Sequence, residues 1–251
     1  MKKREANDKP LIEIRGIKKH FGDKLVHNGI DIDVFRGEIL TLMGGSGTGK
    51  SVLLRSLIGL EHPDSGHIFF NGQDVPLLSE EELVSVRKRI AYVFQYGALF
   101  DSLSVRENLA YPLRAHTKLS ESDIHKKVVE VLSKVGLEES IDLFPSDLSG
   151  GMQRRVGVAR SIILEPEIIL YDEPTTGLDP YNTKQILQVI LQLKKQGATS
   201  ILVTHDMHAI FSVADRVAFL KDGSIRAIGT AKEIEQTKDP VIQGFIQGET
   251  W

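Results

Sequence analysis

The sequence predicts an α/β fold whose largely parallel sheet is covered by helices. Two stretches of the chain carry that prediction. From Ile168 onward, strands and helices alternate: Ile168 to Tyr171 and Ser200 to Thr204 read as strands, Asn182 to Lys195 as the helix between them, and Val217 to Leu220 as a further strand. Strands separated by helices of this length pair in parallel and are buried on both faces. Earlier in the chain, the apolar run Glu38 to Met43 passes through a glycine cluster, Gly44 to Gly49, into the helical run Lys50 to Leu60. A length of 251 residues supports one large domain of this kind.

The remaining elements follow from local pattern. Leu11 to Ile14 and Ile30 to Val34 read as strands, with turn residues at Phe21-Gly22-Asp23 and Arg36-Gly37. His67 to Phe70 is a short strand between turns. Ser79 to Glu82 and Ser104 to Glu107 both have capping-box spacing and open helices. Between Ser120 and Val135, apolar Ile124, Val128, Val131, Leu132 and Val135 fall on one helical face. The region of about 97–160 thus reads as a helical insertion within a domain over residues 11–238. Residues 239–251 form a short tail that offers Val241, Phe245, Ile246 and Trp251 for contact.

Composition narrows the classes of function. A net charge of -3 argues against a nucleic-acid partner, whose phosphates call for a basic face. With no cysteine, disulfides, thiolate metal sites and cysteine nucleophiles are excluded. The charged start MKKREANDKP does not read as a signal peptide, and no stretch reaches the roughly 20 apolar residues of a membrane span. The expected location is cytoplasmic, with any membrane role reached through a partner.

Gly44-Gly45-Ser46-Gly47-Thr48-Gly49-Lys50-Ser51 fits the pattern G-x-x-x-x-G-K-[ST] and lies between a strand and a helix, the context such a loop requires. Its glycines let the backbone wrap a phosphate with the N–H groups turned inward. The helix beginning near Lys50 points its positive end at the same anion. Lys50 supplies a charge for the β/γ oxygens, and the Ser51 hydroxyl is a Mg²⁺ ligand. A second element, Ile168 to Glu173, is an apolar strand ending in two acids. Strand ends of this kind face the ligand crevice of open α/β sheets. Alone, such an acidic pair is more often a solvated turn. Beside a phosphate loop, Asp172 is placed to hold Mg²⁺ and Glu173 to polarise the attacking water.

Leu148-Ser149-Gly150-Gly151-Met152 opens a third element, a helix with Ser149 as its N-cap and two glycines that let a phosphate approach. The order of phosphate loop, Gln95, this signature, the acids at 172–173, Gly177-Leu178-Asp179 and His205 resembles the nucleotide-binding subunits of ABC transporters across essentially the whole chain. The resemblance implies a P-loop ABC cassette with a RecA-like core, an antiparallel β subdomain and a helical signature subdomain. It implies ATP and Mg²⁺ as cofactors, and ATP hydrolysis coupled to transport. It also implies a homodimer in which Ser149, Gly150 and Gly151 of one subunit close over nucleotide held by the other. On the same grounds Phe21 stacks on adenine, the alternative being an ordinary turn phenylalanine. Gln95 senses Mg²⁺ and water, Asp179 contacts the dimer partner, and His205 contacts the γ-phosphate and the water. His205 and His208 sharing a helix face invites a metal reading, but no third ligand is suggested nearby. Two positions depart from the usual pattern: Met152 replaces a glutamine, and Val52 follows the loop where a hydroxyl residue is common.

Phe94 to Phe100, Tyr111-Pro112-Leu113-Arg114, His116-Thr117 and the tail from Lys238 with Phe245 and Gly248 are similar to the ATPases of Mla/MCE phospholipid transporters. That subgroup implies membrane permease subunits docked near Gln95 to Phe100, with Tyr96, Leu99 and Phe100 in an apolar groove. Those three side chains equally suit packing of the insertion against the sheet. An MCE-domain lipid-binding protein and a STAS-domain protein are the further partners implied. The chain would sit peripherally on the cytoplasmic face of the inner membrane, driving phospholipid transport between inner and outer membranes. An ATPase of an importer for amino acids or another small solute is the alternative.

Overall fold

The computed structural model describes residues 9–249. Two sheets build the core. In the smaller, β1 (Ile12–Phe21) lies between β2 (Lys24–Val34) and β4 (Ser65–Phe70), and β4 carries the two-residue β5 (Gln73–Asp74) at the edge. All its pairings are antiparallel. In the larger, β3 (Ile39–Met43), β6 (Ile90–Val93), β7 (Ile168–Asp172), β8 (Thr199–Val203), β9 (Arg216–Lys221) and β10 (Ser224–Thr230) run in the order β10-β9-β3-β8-β7-β6. The pairings from β9 to β6 are parallel, and β10 closes the edge as an antiparallel hairpin with β9.

The parallel strands are apolar throughout because both faces are covered. Every residue of β3 and β8 is buried. One face packs against Leu53, Leu54 and Leu57 of helix α1 (Lys50–Leu57) and against the small sheet. The other meets α5 (Gly150–Ile162) and α6 (Pro180–Lys195), through Val156, Ala159, Ile186 and Ile190. Polar side chains start the helices where the sequence places them. Ser79 caps α2 (Glu80–Arg87) in a complete capping box with Glu82. Ser104 caps α3 (Val105–His116) by accepting from the Glu107 amide, but the Glu107 carboxylate turns to Arg114 instead of closing the box. Ser120 caps α4 (Glu121–Lys134), whose buried face is Ile124, Val128, Val131 and Leu132. Helices α3, α4 and α5 thus form the helical insertion between β6 and β7.

Some features differ from the sequence reading. The helix expected to hold His205 and His208 begins only at Met207, as α7 (Met207–Val213). The strand expected at Val217 to Leu220 forms a hairpin with β10, which the sequence reading lacks together with helix α8 (Ala231–Glu235). The segment from Asp239, expected as a tail, folds as α9 (Pro240–Gln247), capped by Asp239. Ile242 is fully buried, and Phe245 packs on Phe219 with ring centroids 5.3 Å apart. Strong apolar character with a Pro at the first turn is a helix signature that outweighs its terminal position. Trp251 lies outside the described residues.

Candidate active site

The phosphate loop runs from the end of β3 to the start of α1. Gly49 caps α1 in the left-handed region, with φ 96°, and no side chain caps the helix. Among the described residues, then, no cap side chain occupies the first-turn N–H groups, the arrangement that favours an anion. Lys50 is only 6% exposed. Its Nζ donates to the Gly44 and Gly45 carbonyls at 2.8 and 2.7 Å, which leaves one donor for a phosphate oxygen. Burial pushes the Lys50 pKa down, and the charges of Glu173 and Asp172 oppose the shift.

Beside the loop, β7 delivers the acids. Ser51 Oγ donates to Asp172 Oδ1 at 2.6 Å, and the Tyr92 hydroxyl donates to Asp172 Oδ2 at 2.7 Å. Both oxygens of the carboxylate are thereby fixed, one from α1 and one from β6. Tyr92 had no place in the sequence reading. Its position in a short strand two residues before Phe94 carries no chemical signal until the sheet sets β6 against β7. Burial, then the hydrogen bond to Asp172, pushes its phenol pKa well up, so it stays a donor.

Glu173 follows at φ 51°, in the left-handed region that non-glycine residues seldom occupy. Its amide donates to the Val203 carbonyl. Its carboxylate accepts from Thr176 Oγ1 at 2.8 Å and lies 2.9–3.1 Å from His205 Nδ1. His205 comes from the loop after β8, ahead of α7. It therefore does not share a helix face with His208, which sits in the first turn of α7.

These groups surround a cavity of about 1190 Å³. It is lined by Phe21, Gly45 to Gly47 and Gly49 to Val52 of the loop, Gln95, Glu173 and His205, and also by Arg55, Met207 and the α9 residues Phe245 and Ile246. Phe21, 47% exposed at the end of β1, presents its ring to this space beneath the Lys19 ammonium, 4.9 Å from the centroid. Gly44 and Thr48 belong to the same loop but turn toward the β9–β10 side. Within one chain, the signature does not reach the cavity. Ser149 caps α5 by accepting from the Met152 amide, Gly150 is open, and Gly151 lies against Asn182. Asn182 in turn donates twice to Asp179, the cap of α6, so Asp179 and the signature are tied together. Met152 packs into the core beneath α5.

The signature helix is also fastened to the loops around the cavity. Arg154 donates to the Pro174 and Thr176 carbonyls, and Arg160 to the Ala98 carbonyl in the segment after Gln95. In that segment Tyr96 is 75% exposed, and Phe100 sits edge-on to the exposed Tyr111. Leu99 instead packs partly into the core, so it contributes less to a groove than the sequence suggested.

The profile of the family described as "ABC transporter" matches residues 27–176. The chain belongs to the ABC transporter family. Among its relatives is the intermembrane phospholipid transport system ATP-binding protein MlaF of Haemophilus influenzae, 41% identical over 96% of this chain and 91% of that protein. Another, from Mycobacterium leprae, is named "Probable ribonucleotide transport ATP-binding protein mkl" and is 40% identical over 94% of this chain and 69% of its own length. Of solved structures, a dimeric post-hydrolysis state of the ATP-binding cassette MJ0796, bound to ADP and Pi, superposes with a TM-score of 0.80. It is 30% identical and covers 88% of this chain and 98% of that one. The cassette architecture expected from the sequence, with its RecA-like parallel sheet, antiparallel sheet and helical insertion, is thus the one found. As an ABC ATPase, the chain binds ATP and couples its hydrolysis to transport.

Proposed function

We propose that this chain is the ATPase of an Mla-type phospholipid transporter, working as a homodimer on the cytoplasmic face of the inner membrane. The observation that carries this reading is 41% identity to an MlaF protein over nearly the whole of both chains. The absence of a membrane-length apolar helix among the described residues agrees with a peripheral subunit. Membrane permease subunits would dock on the exposed Tyr96, Phe100 and Tyr111 beside Gln95, with an MCE-domain and a STAS-domain protein completing the assembly. Ser149, Gly150, Gly151 and Asp179 would act on the partner's nucleotide, because they lie away from the cavity of their own chain.

Within the site, Phe21 would stack on adenine, and the loop from Gly44 to Val52 would hold the phosphates. Ser51, Asp172 and Gln95 would hold Mg²⁺. They suit it, since two hard oxygen donors already lie 2.6 Å apart in Ser51 and Asp172. Bound there, Mg²⁺ supplies charge neutralisation at the phosphate oxygens. Glu173 would take the proton of the attacking water, with His205 holding the carboxylate and the γ-phosphate in register. Because Tyr92 fixes one Asp172 oxygen, Tyr92→Phe is expected to raise the Mg²⁺ concentration for half-maximal ATPase by about tenfold, the worth of one charge-assisted hydrogen bond. A magnesium titration of the purified variant measures this.

The cargo is tested by reconstituting the chain in proteoliposomes with the permease, MCE and STAS proteins encoded beside it. ATPase stimulation by phospholipid-loaded MCE protein is the expected result. Stimulation by nucleosides, or by an amino-acid receptor, would replace the phospholipid reading.

A further inference from the structure

His27 is fully buried in β2, beneath the phosphate loop, and the catalytic reading above gives it no task. Its ring Nε2 lies 3.0 Å from the carbonyl oxygen of Gly49. A carbonyl only accepts, so the hydrogen resides on Nε2. Nδ1 is then a bare acceptor, and among the described residues it is buried without a hydrogen-bond partner. An aliphatic side chain would fill this strand position without that penalty. Burial holds the imidazole below its ordinary pKa; the Gly49 carbonyl opposes the shift and the Lys19 charge adds to it.

The backbone around His27 aims the ring upward. In β2 the inward residues Val34, Ile32 and Ile30 alternate regularly, and then Val26 and His27 are buried in succession. Between the two patterns stand Gly29 at φ 80° and register shifts against β1 near Gly16. Bulged pairings of this kind re-aim side chains beside functional sites. The target is equally specific. Gly49 carries the left-handed cap of α1 immediately before Lys50, and its carbonyl already accepts from the Leu53 amide to start the helix. A Cβ on Gly49 would lie 2.5 Å from Val26 Cγ1 and 2.7 Å from His27 Nε2, so strand and loop are in direct register.

We propose that His27, in its Nε2–H form, is a positioning residue that pins the Gly49 peptide and so holds the phosphate loop in its anion-binding shape. With Leu53 as sole partner the plane of the Gly49–Lys50 peptide is free to tip, and the Lys50 amide N–H, which shares that plane with the Gly49 carbonyl, tips with it. This rests on the cavity being the ATP site. The His27 side chain does not line that cavity.

The test compares wild-type full-length protein with His27→Leu and His27→Gln, using ATP as the titrant in isothermal calorimetry beside thermal unfolding. Leucine keeps the volume but has no donor; glutamine carries an amide N–H at the reach of Nε2. Expected is an ATP affinity about tenfold weaker for His27→Leu and within about twofold of wild type for His27→Gln, with His27→Leu unfolding no earlier than wild type. Wild-type affinity in His27→Leu, or equal loss in both variants, would overturn the proposal. Should His27→Leu fail to fold, a long-range ¹H–¹⁵N spectrum of the wild-type imidazole decides. A proton on Nε2 together with near-wild-type binding by His27→Gln supports the pin, and a proton on Nδ1 removes it. Binding of ATP by wild-type protein is read separately, so failure of the ATP reading is distinguishable from failure of this one.

Discussion

Glu173→Gln is expected to bind ATP at least as tightly as the wild type while hydrolysing it about 10²–10⁴-fold more slowly, the range lost with a general base. The geometry leaves the side chain little other work. Thr176 Oγ1 at 2.8 Å and His205 Nδ1 at 2.9 Å both reach Oε2, and a single acceptor oxygen there is what glutamine retains. What glutamine lacks is the capacity to take a proton at neutral pH. The backbone supports the same conclusion, because φ 51° at Glu173 is an unfavourable conformation for a side-chain-bearing residue. The Val203 carbonyl and the Thr176 turn hold it there, and the conformation turns the carboxylate into the cavity beside Lys50. Removing one negative charge near the phosphates also lowers repulsion, so affinity does not fall. Phosphate release measured at saturating ATP, with nucleotide affinity measured in parallel, checks both halves. A variant that turned over at the wild-type rate would take Glu173 out of the base role and direct attention to His205.

Much of this site was legible because its parts are contiguous in sequence. The phosphate loop, the acids ending β7 and the signature each occupy a few consecutive residues flanked by recognisable strand or helix. The cavity brings Phe21, Lys50, Ser51, Gln95, Glu173 and His205 together from five separate elements. Residues whose importance depends on a neighbour from elsewhere in the chain were not legible. Tyr92 matters because β6 lies beside β7, and His27 because a bulged strand passes under the loop. Neither has a local pattern to betray it, and a histidine in a strand reads as an ordinary half-buried residue. The same limit explains α9. Its apolar residues look available for contact, and although the strand Val217 to Leu220 is legible, nothing local shows that its Phe219, with Met43 and Ile210, becomes their seat once the sheet is assembled. Leu99 shows the converse case, where an apolar residue in an apparent docking motif serves the core.

Lys50→Ala carries the second large expectation: ATP affinity lower by about 100-fold or more, equivalent to about 2.7 kcal/mol, and hydrolysis at background. The ammonium is the only cation of the loop, and it is nearly inaccessible to water. A charge in such a place interacts with phosphate oxygens far more strongly than an exposed one does. Alanine also withdraws two hydrogen bonds from the Gly44 and Gly45 carbonyls, so the loop loses an internal brace as well as its charge. The fold is expected to survive. Burying an ammonium is costly, as the downward push on its pKa shows, and the nearby Glu173 and Asp172 charges compensate only in part. Taking the charge away therefore removes a desolvation cost along with the binding function, and thermal unfolding should shift little. Calorimetric titration with ATP beside a melting curve separates the two effects. Affinity within about threefold of wild type would show that the backbone amides and the α1 dipole suffice for the phosphates. Loss of affinity with an unchanged melt would assign the binding energy to the ammonium itself, distinct from the smaller loss expected when only the Gly49 pin is removed.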